Sequence, residues 1–83
     1  MYVYILECAD KSYYTSVTNN LEKRLKEHQT GLEPDSYTFR RRPIKLVFSE
    51  TCNTTEQAFK LEKQIKGWSR AKKKAIIDNN WDK

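Results

Sequence analysis

Tyr2-Val3-Tyr4-Ile5-Leu6-Glu7-Cys8 and Tyr13-Tyr14-Thr15-Ser16-Val17-Thr18 are two β-branched and aromatic runs joined by the polar link Ala9-Asp10-Lys11-Ser12. Residues of these types fit a pleated, half-buried surface, and two such runs so closely joined read as a β-hairpin. Successive side chains of a strand point to opposite faces, so the length of the link decides which tyrosines share a side. With an odd-numbered loop, even positions of both strands face one way and Tyr4 comes diagonally close to Tyr14. With an even-numbered loop Tyr4 shares its side with Tyr13.

The segments beyond the hairpin carry their own punctuation. Asn19 with Glu22 three residues on forms a capping box, and Gly31 closes the run, which predicts a helix over 20–30. Residues 32–43 hold Pro34, Pro43 and three arginines, and read as a loop with a basic exit. Ile44-Lys45-Leu46-Val47-Phe48-Ser49-Glu50-Thr51 predicts a third strand. Thr54 with Gln57 is a second capping box, opening a helix over 55–66 that stops at Gly67. Ser69 can cap a last helix over 70–78, whose apolar content is thin: Ala71, Ala75, Ile76 and Ile77. The order is β-β-α-β-α-α, an α+β (α/β) class without repeats or linkers.

Composition limits what such a chain can be. Eighty-three residues suffice for one domain over 1–83, since a second core would leave each half at a size that usually needs disulfides or metals. With 37% apolar and 12% aromatic residues but only two Gly and two Pro, a disordered or fibrous chain is excluded. The longest apolar stretch, residues 1–6, is too short for a membrane span or a secretory signal, so a soluble cytoplasmic protein is expected. Cys8 and Cys52 lie far apart with no CxxC spacing and a single His, which argues for two free strand cysteines rather than a bridge or a zinc site. Charge is unevenly placed: residues 1–39 carry four Lys/Arg against six Asp/Glu, and residues 40–83 carry twelve against five. A C-terminal half at +7, with aromatic residues among its lysines, fits a surface for phosphate backbones as well as it fits a solvated basic face.

Three groups of side chains could do chemistry. Ala58, Leu61, Glu62 and Ile65 fall on one stripe of the 55–66 helix, while Glu56 points away. An ionised carboxylate on an apolar stripe needs a metal ion, an Arg or a donor network. On the 20–30 helix the stripe is Leu21, Leu25 and Leu32 with His28 among them, and Arg24 precedes His28 by four residues, so both reach one spot. His28 is there either as a satisfied core histidine or as a catalytic group. Tyr4 and Tyr14 are the third group, either packing residues or paired phenols.

In order and spacing these pieces resemble the GIY-YIG nuclease domain, in its minimal single-domain members of bacterial type, over residues 2–77. Tyr2-Val3-Tyr4 resembles the first signature and Tyr14-Thr15-Ser16 the second. Asn20-Leu21-Glu22-Lys23-Arg24-Leu25 resembles the helix bearing the family arginine, and the segment from Phe59 through Glu62 to Trp68 the one bearing the family glutamate. The resemblance implies a three-stranded antiparallel sheet flanked by helices and a divalent-metal phosphodiesterase site. It gives functional roles to Tyr4, Tyr14, Arg24 and Glu62, and His28 matches a histidine that some nuclease members use. Tyr2 and Ser16 stand where the family has Gly, and the late family Asn has no match: Lys74 lies near its place, with Asn79 and Asn80 beyond. A side chain at position 16 is expected to crowd the site.

What the resemblance implies is a metal-dependent endonuclease acting on DNA or structured nucleic acid, as in DNA repair or recombination. Glu62 would hold one Mg²⁺ or Mn²⁺, Arg24 would fork onto the scissile phosphate, and Tyr4 or Tyr14 would take a proton from the attacking water, with His28 assisting. Arg40, Arg41, Arg42, Lys66, Arg70, Lys72, Lys73 and Lys74 would hold the nucleic-acid backbone without reading sequence. With no appended recognition domain, sequence specificity is expected to be low; no membrane contact and no small-molecule cofactor are expected. The shared site requires Tyr4, Tyr14, Arg24 and Glu62 to converge on one concave surface. The alternative is a nucleic-acid-binding module of the same fold that has lost turnover, and a third reading is a structural interaction domain.

Overall fold

The computed structural model describes residues 1–31 and 38–80. Strands β1 (Tyr2–Glu7), β2 (Tyr13–Thr18) and β3 (Lys45–Thr51) form an antiparallel sheet in the order β2-β1-β3, with helices α1 (Leu21–Thr30), α2 (Thr55–Lys66) and α3 (Arg70–Asn80). Element order is thus β-β-α-β-α-α, as the sequence predicts. Leu32 and the loop to residue 37 lie outside the described residues, and the loop's exit forms a short helical turn, Phe39–Arg41.

The hairpin link runs over residues 8–12, an odd number, and the register follows: Tyr4 pairs with Ser16 and Leu6 with Tyr14. Asp10 organises the turn by accepting from the Ser12 backbone N–H (3.0 Å) and hydroxyl (2.6 Å). Lys11 takes the left-handed conformation, φ 71°. Arg41 then ties the turn to the rest of the chain, through Nε to Asp10 (3.1 Å) and through its carbonyl to the Ala9 N–H (2.8 Å).

Because β1 is central and covered on both faces, it reads as an almost continuous apolar run, with Val3, Tyr4, Ile5 and Leu6 all at 0% exposure. Its odd positions join Val47, Phe48, Ala58, Ile65 and Ile77 in a core under α2 and α3. Its even positions join Cys8 and Ile44 in a second core, against which Tyr14, Leu21, Leu25 and Leu46 pack, so α1 covers the opposite face. In β3 a bulge changes the parity of the strand. Ile5 pairs with Phe48 but Leu6 pairs with Leu46, leaving Val47 as the extra residue. Phe48 therefore faces α2, and Leu46 faces α1.

Helix ends match the capping signals with one shift. The N-cap of α1 is Asn20, not Asn19: its side chain accepts from the Lys23 N–H (3.1 Å), while Thr18 Oγ1 takes the Asn20 N–H (3.1 Å) and sets its extended backbone. Glu22 then falls within the first turn instead of completing a box. Thr54 and Ser69 accept from Gln57 N–H and Lys72 N–H as expected, at 3.1 and 3.2 Å. Cys8 and Cys52 are free thiols. Among the described residues no helix is long and apolar enough to cross a membrane.

Gly31 closes α1 at φ 70°, with the Arg42 guanidinium and the Phe39 ring packed where a side chain would go; an added Cβ would lie 2.6 Å from Arg42 and 2.9 Å from Phe39. Gly31→Ala is therefore expected to cost about 1–2 kcal/mol in backbone strain alone and more through displacement of Arg42. Urea unfolding measures it, and an unchanged midpoint would refute the tight closure.

Candidate active site

The register of the hairpin and the pitch of α1 bring four side chains to one face. Tyr4 and Tyr14 sit diagonally on β1 and β2, and Arg24 and His28, four residues apart, descend from α1 onto them. The Tyr4 hydroxyl lies 3.0 Å from His28 Nε2, and His28 Nδ1 lies 2.8 Å from the Thr38 hydroxyl. The Tyr14 ring meets the His28 ring edge-on, centroids 5.3 Å apart. Tyr4, His28 and Thr38 are buried, while Tyr14 and Arg24 are half-buried.

Burial pushes the Tyr4 phenol above its ordinary value, with a smaller upward push from Tyr14; hydrogen bonds from Arg24 and Ser16 oppose this without cancelling it. Tyr4 therefore keeps its proton at neutral pH and serves as a hydrogen-bonding group. Of the two phenols, only Tyr14 combines membership of this cluster with partial exposure. Ser16, expected to crowd the site, instead places its hydroxyl beside the Tyr4 oxygen, directly across the strand pair.

Arg24 links the buried cluster to the surface. Its Nη1 is 3.2 Å from Glu27 Oε1, and it lines a polar cleft of about 310 Å³ with Asn19, Asn20, Lys23 and Glu27. An anion entering this cleft would meet the guanidinium whose other neighbour is the Tyr4 hydroxyl.

Glu62 is placed differently. It lies on α2, the helix covering the opposite face, and packs beside Ala58, Leu61 and Ile65 with its side chain only 17% exposed. Its partner is Lys66, one turn on, at 3.1 Å. The carboxylate is thus partnered, though by a lysine of its own helix rather than by an arginine, and it is not part of the hydrogen-bonded group around Tyr4. α2 packs chiefly on β2 and β1, and β2 is an edge strand. Glu56 faces solvent, paired with Lys60. No group of three or more His, Cys, Asp or Glu side chains suited to a metal occurs among the described residues. One sheltered carboxylate fits a hard divalent cation whose remaining positions go to water and substrate oxygens, but not a cation caged by protein alone.

The basic residues fall into two groups. Arg40 is exposed, Arg41 is held on Asp10, and Arg42 stacks on Phe39, all near the hairpin turn. On the α2 and α3 side Arg70 lies over the Tyr13 ring (4.9 Å), Lys72 over Trp68 (4.8 Å), and Lys74 pairs with Asp78. Lys73 is half-buried and Lys66 is engaged by Glu62. Thr38 is the site member that sequence reasoning missed, because it leaves a loop with no periodicity to reveal it.

Comparison with known proteins matches residues 1–75 to the model of the GIY-YIG catalytic domain. A UPF0213 protein of Syntrophus aciditrophicus is 51% identical over 79 residues, 95% of this chain and 91% of the relative. One from Natronomonas pharaonis is 43% identical over 92% of this chain and 88% of its own length. The solution NMR structure of a UPF0213 protein from Bacillus halodurans superposes with a TM-score of 0.60 at 39% identity, covering 93% of this chain and 81% of that one. None of these UPF0213 names states a substrate.

The sheltered Tyr4 makes stability depend on alkaline pH. Its proton is held more tightly in the folded than in the unfolded chain, so its contribution is complete below about pH 10 and is lost as pH rises through the raised folded value. Tyr4→Phe is expected to flatten the decline of the urea midpoint between about pH 9 and pH 12. A decline equal to that of the parent chain would contradict the burial argument.

Proposed function

The chain belongs to the GIY-YIG catalytic domain family, and on that premise we propose that it is an endonuclease hydrolysing phosphodiester bonds in DNA or structured nucleic acid with low sequence specificity. The observation that carries this reading is the gathering of Tyr4, Tyr14, Arg24 and His28 on one face, with Arg24 at the mouth of a polar cleft.

Arg24 binds the scissile phosphate by forking onto its non-bridging oxygens, releasing Glu27, and it opposes the charge that grows there in the transition state. Tyr14, as the phenolate that the Arg24 charge favours, orients the attacking water and takes its proton as the new P–O bond forms; the bond to the leaving 3′ oxygen breaks and that oxygen takes a proton from solvent. Tyr4 stays protonated, held by His28, and keeps the guanidinium in line. Glu62, on leaving Lys66, would hold one Mg²⁺ or Mn²⁺, and such an ion neutralises phosphate charge and assists the leaving oxygen. Arg40, Arg41 and Arg42 on one side, with Lys66, Arg70, Lys72, Lys73 and Lys74 on the other, contact the flanking backbone. A cytoplasmic role in DNA repair or recombination suits a small nuclease that reads structure more than sequence.

A second reading, a binding module without turnover, is favoured by the Glu62–Lys66 pair and by the placement of α2 on the face opposite Tyr14. The two readings are separated by incubating the chain with flapped, branched, duplex and single-stranded substrates and either metal. The nuclease reading expects metal-dependent cleavage that Glu62→Gln abolishes without unfolding, and that Arg24→Ala lowers by about 10²–10³. The binding module expects no cleavage by any form, with affinity that still falls steeply as salt rises. Charge reversal at Arg41 or Lys73 should weaken binding to unrelated sequences alike, which filter binding measures.

A further inference from the structure

Thr38 occupies the N-cap position of the helical turn Phe39–Arg41, yet its side chain makes no capping bond there. It is fully buried, and its hydroxyl lies 2.8 Å from His28 Nδ1. Its own position is secured from outside the cluster. Its carbonyl accepts from the Arg41 N–H (3.0 Å), and Arg41 is fastened to the hairpin turn through Asp10 and Ala9.

A neutral imidazole has one N–H and one lone pair, and the bond made at one nitrogen decides what the other can do. On the far side of the ring, His28 Nε2 lies 3.0 Å from the Tyr4 hydroxyl. That phenol oxygen also meets Arg24, which can only donate. With the guanidinium and the Ser16 hydroxyl both donating to the oxygen, its lone pairs are taken and the phenol's own O–H points at Nε2, which then accepts. The proton of the ring consequently sits on Nδ1, and Thr38 Oγ1 receives it.

We propose that Thr38 is a positioning residue: by accepting the His28 Nδ1–H bond it selects the tautomer whose Nε2 accepts from Tyr4, and so aims the Tyr4 oxygen at Arg24. The groups facing the ring are Tyr4 from β1, Tyr14 from β2 and Arg24 from α1, with Glu27 paired to Arg24. The consequence for cleavage rests on the nuclease reading above, because it acts through Arg24 on a bound phosphate. The tautomer itself does not rest on it.

Long-range proton–nitrogen NMR of the ¹⁵N-histidine-labelled chain at neutral pH reads which ring nitrogen carries the proton. The Nδ1–H form is expected in the parent chain and in Thr38→Ser, which keeps the hydroxyl. Thr38→Val, of equal shape but unable to accept, should shift the ring toward the Nε2–H form and lower cleavage by about tenfold to a hundredfold, restored in Thr38→Ser. A parent chain with Nε2–H, or with both nitrogens protonated, would overturn the assignment, and that measurement requires no variant to fold. So would a Thr38→Val ring still wholly in the Nδ1–H form. If no form cleaves any substrate while the tautomer changes as stated, the nuclease reading fails and the role of Thr38 in selecting the tautomer stands.

Discussion

A phenol hydroxyl at the centre of a sheet, out of reach of water, has to be satisfied from within, and the partners of Tyr4 tie the α1 face together. Leaving such a group unpaired would cost about 1–3 kcal/mol. His28 satisfies it from α1, and Thr38 satisfies the other nitrogen of the same ring from the segment after the loop. One chain of hydrogen bonds therefore fastens strand, helix and loop exit to a single point. Arg24, one turn before His28, is carried to the Tyr4 oxygen by the same helix pitch.

The two faces of the sheet divide the work. Under α2 and α3 the core is aliphatic and aromatic, built from Val3, Ile5, Phe48, Ala58 and Ile65. Under α1 the core mixes Leu6 and Ile44 with the Tyr4 and His28 network. The first face supplies stability and the second supplies placed polar groups. The bulge at Val47 sends Leu46 and Phe48 to opposite faces, where a regular strand would point both to the same side.

Charge follows a different division. The surplus of cations lies after residue 40, and several of those cations are already engaged. Arg70 and Lys72 cover aromatic rings, while Arg41, Lys66 and Lys74 have carboxylate partners. Exposed pairs of this kind contribute little to stability, on the order of 0–1 kcal/mol, so exchanging a carboxylate or ring for a phosphate sacrifices little of the fold. The sheltered Glu62–Lys66 pair is held more firmly, since the carboxylate is only 17% exposed.

Whether Tyr4 shares its face with Tyr13 or with Tyr14 turned on the length of the hairpin link, and the strand register settled it at five residues, 8–12. The sequence by itself determined the elements and their order, since alternation and capping residues are local signals, read within a few positions of one another. It also marked Arg24 and His28 as neighbours, since helix pitch alone places residues four apart on one side. Only the tertiary structure decided that Tyr4 is wholly buried, that His28 bridges it to Thr38, and that the helix carrying Glu62 covers the face opposite α1. Tyr4 and His28 are 24 positions apart and Thr38 is a further ten along. Such contacts depend on which face each helix covers, and that leaves no local trace. The cap at Asn20 in place of Asn19 has the same cause on a smaller scale, because the Thr18 hydroxyl at the strand end decides which asparagine is extended.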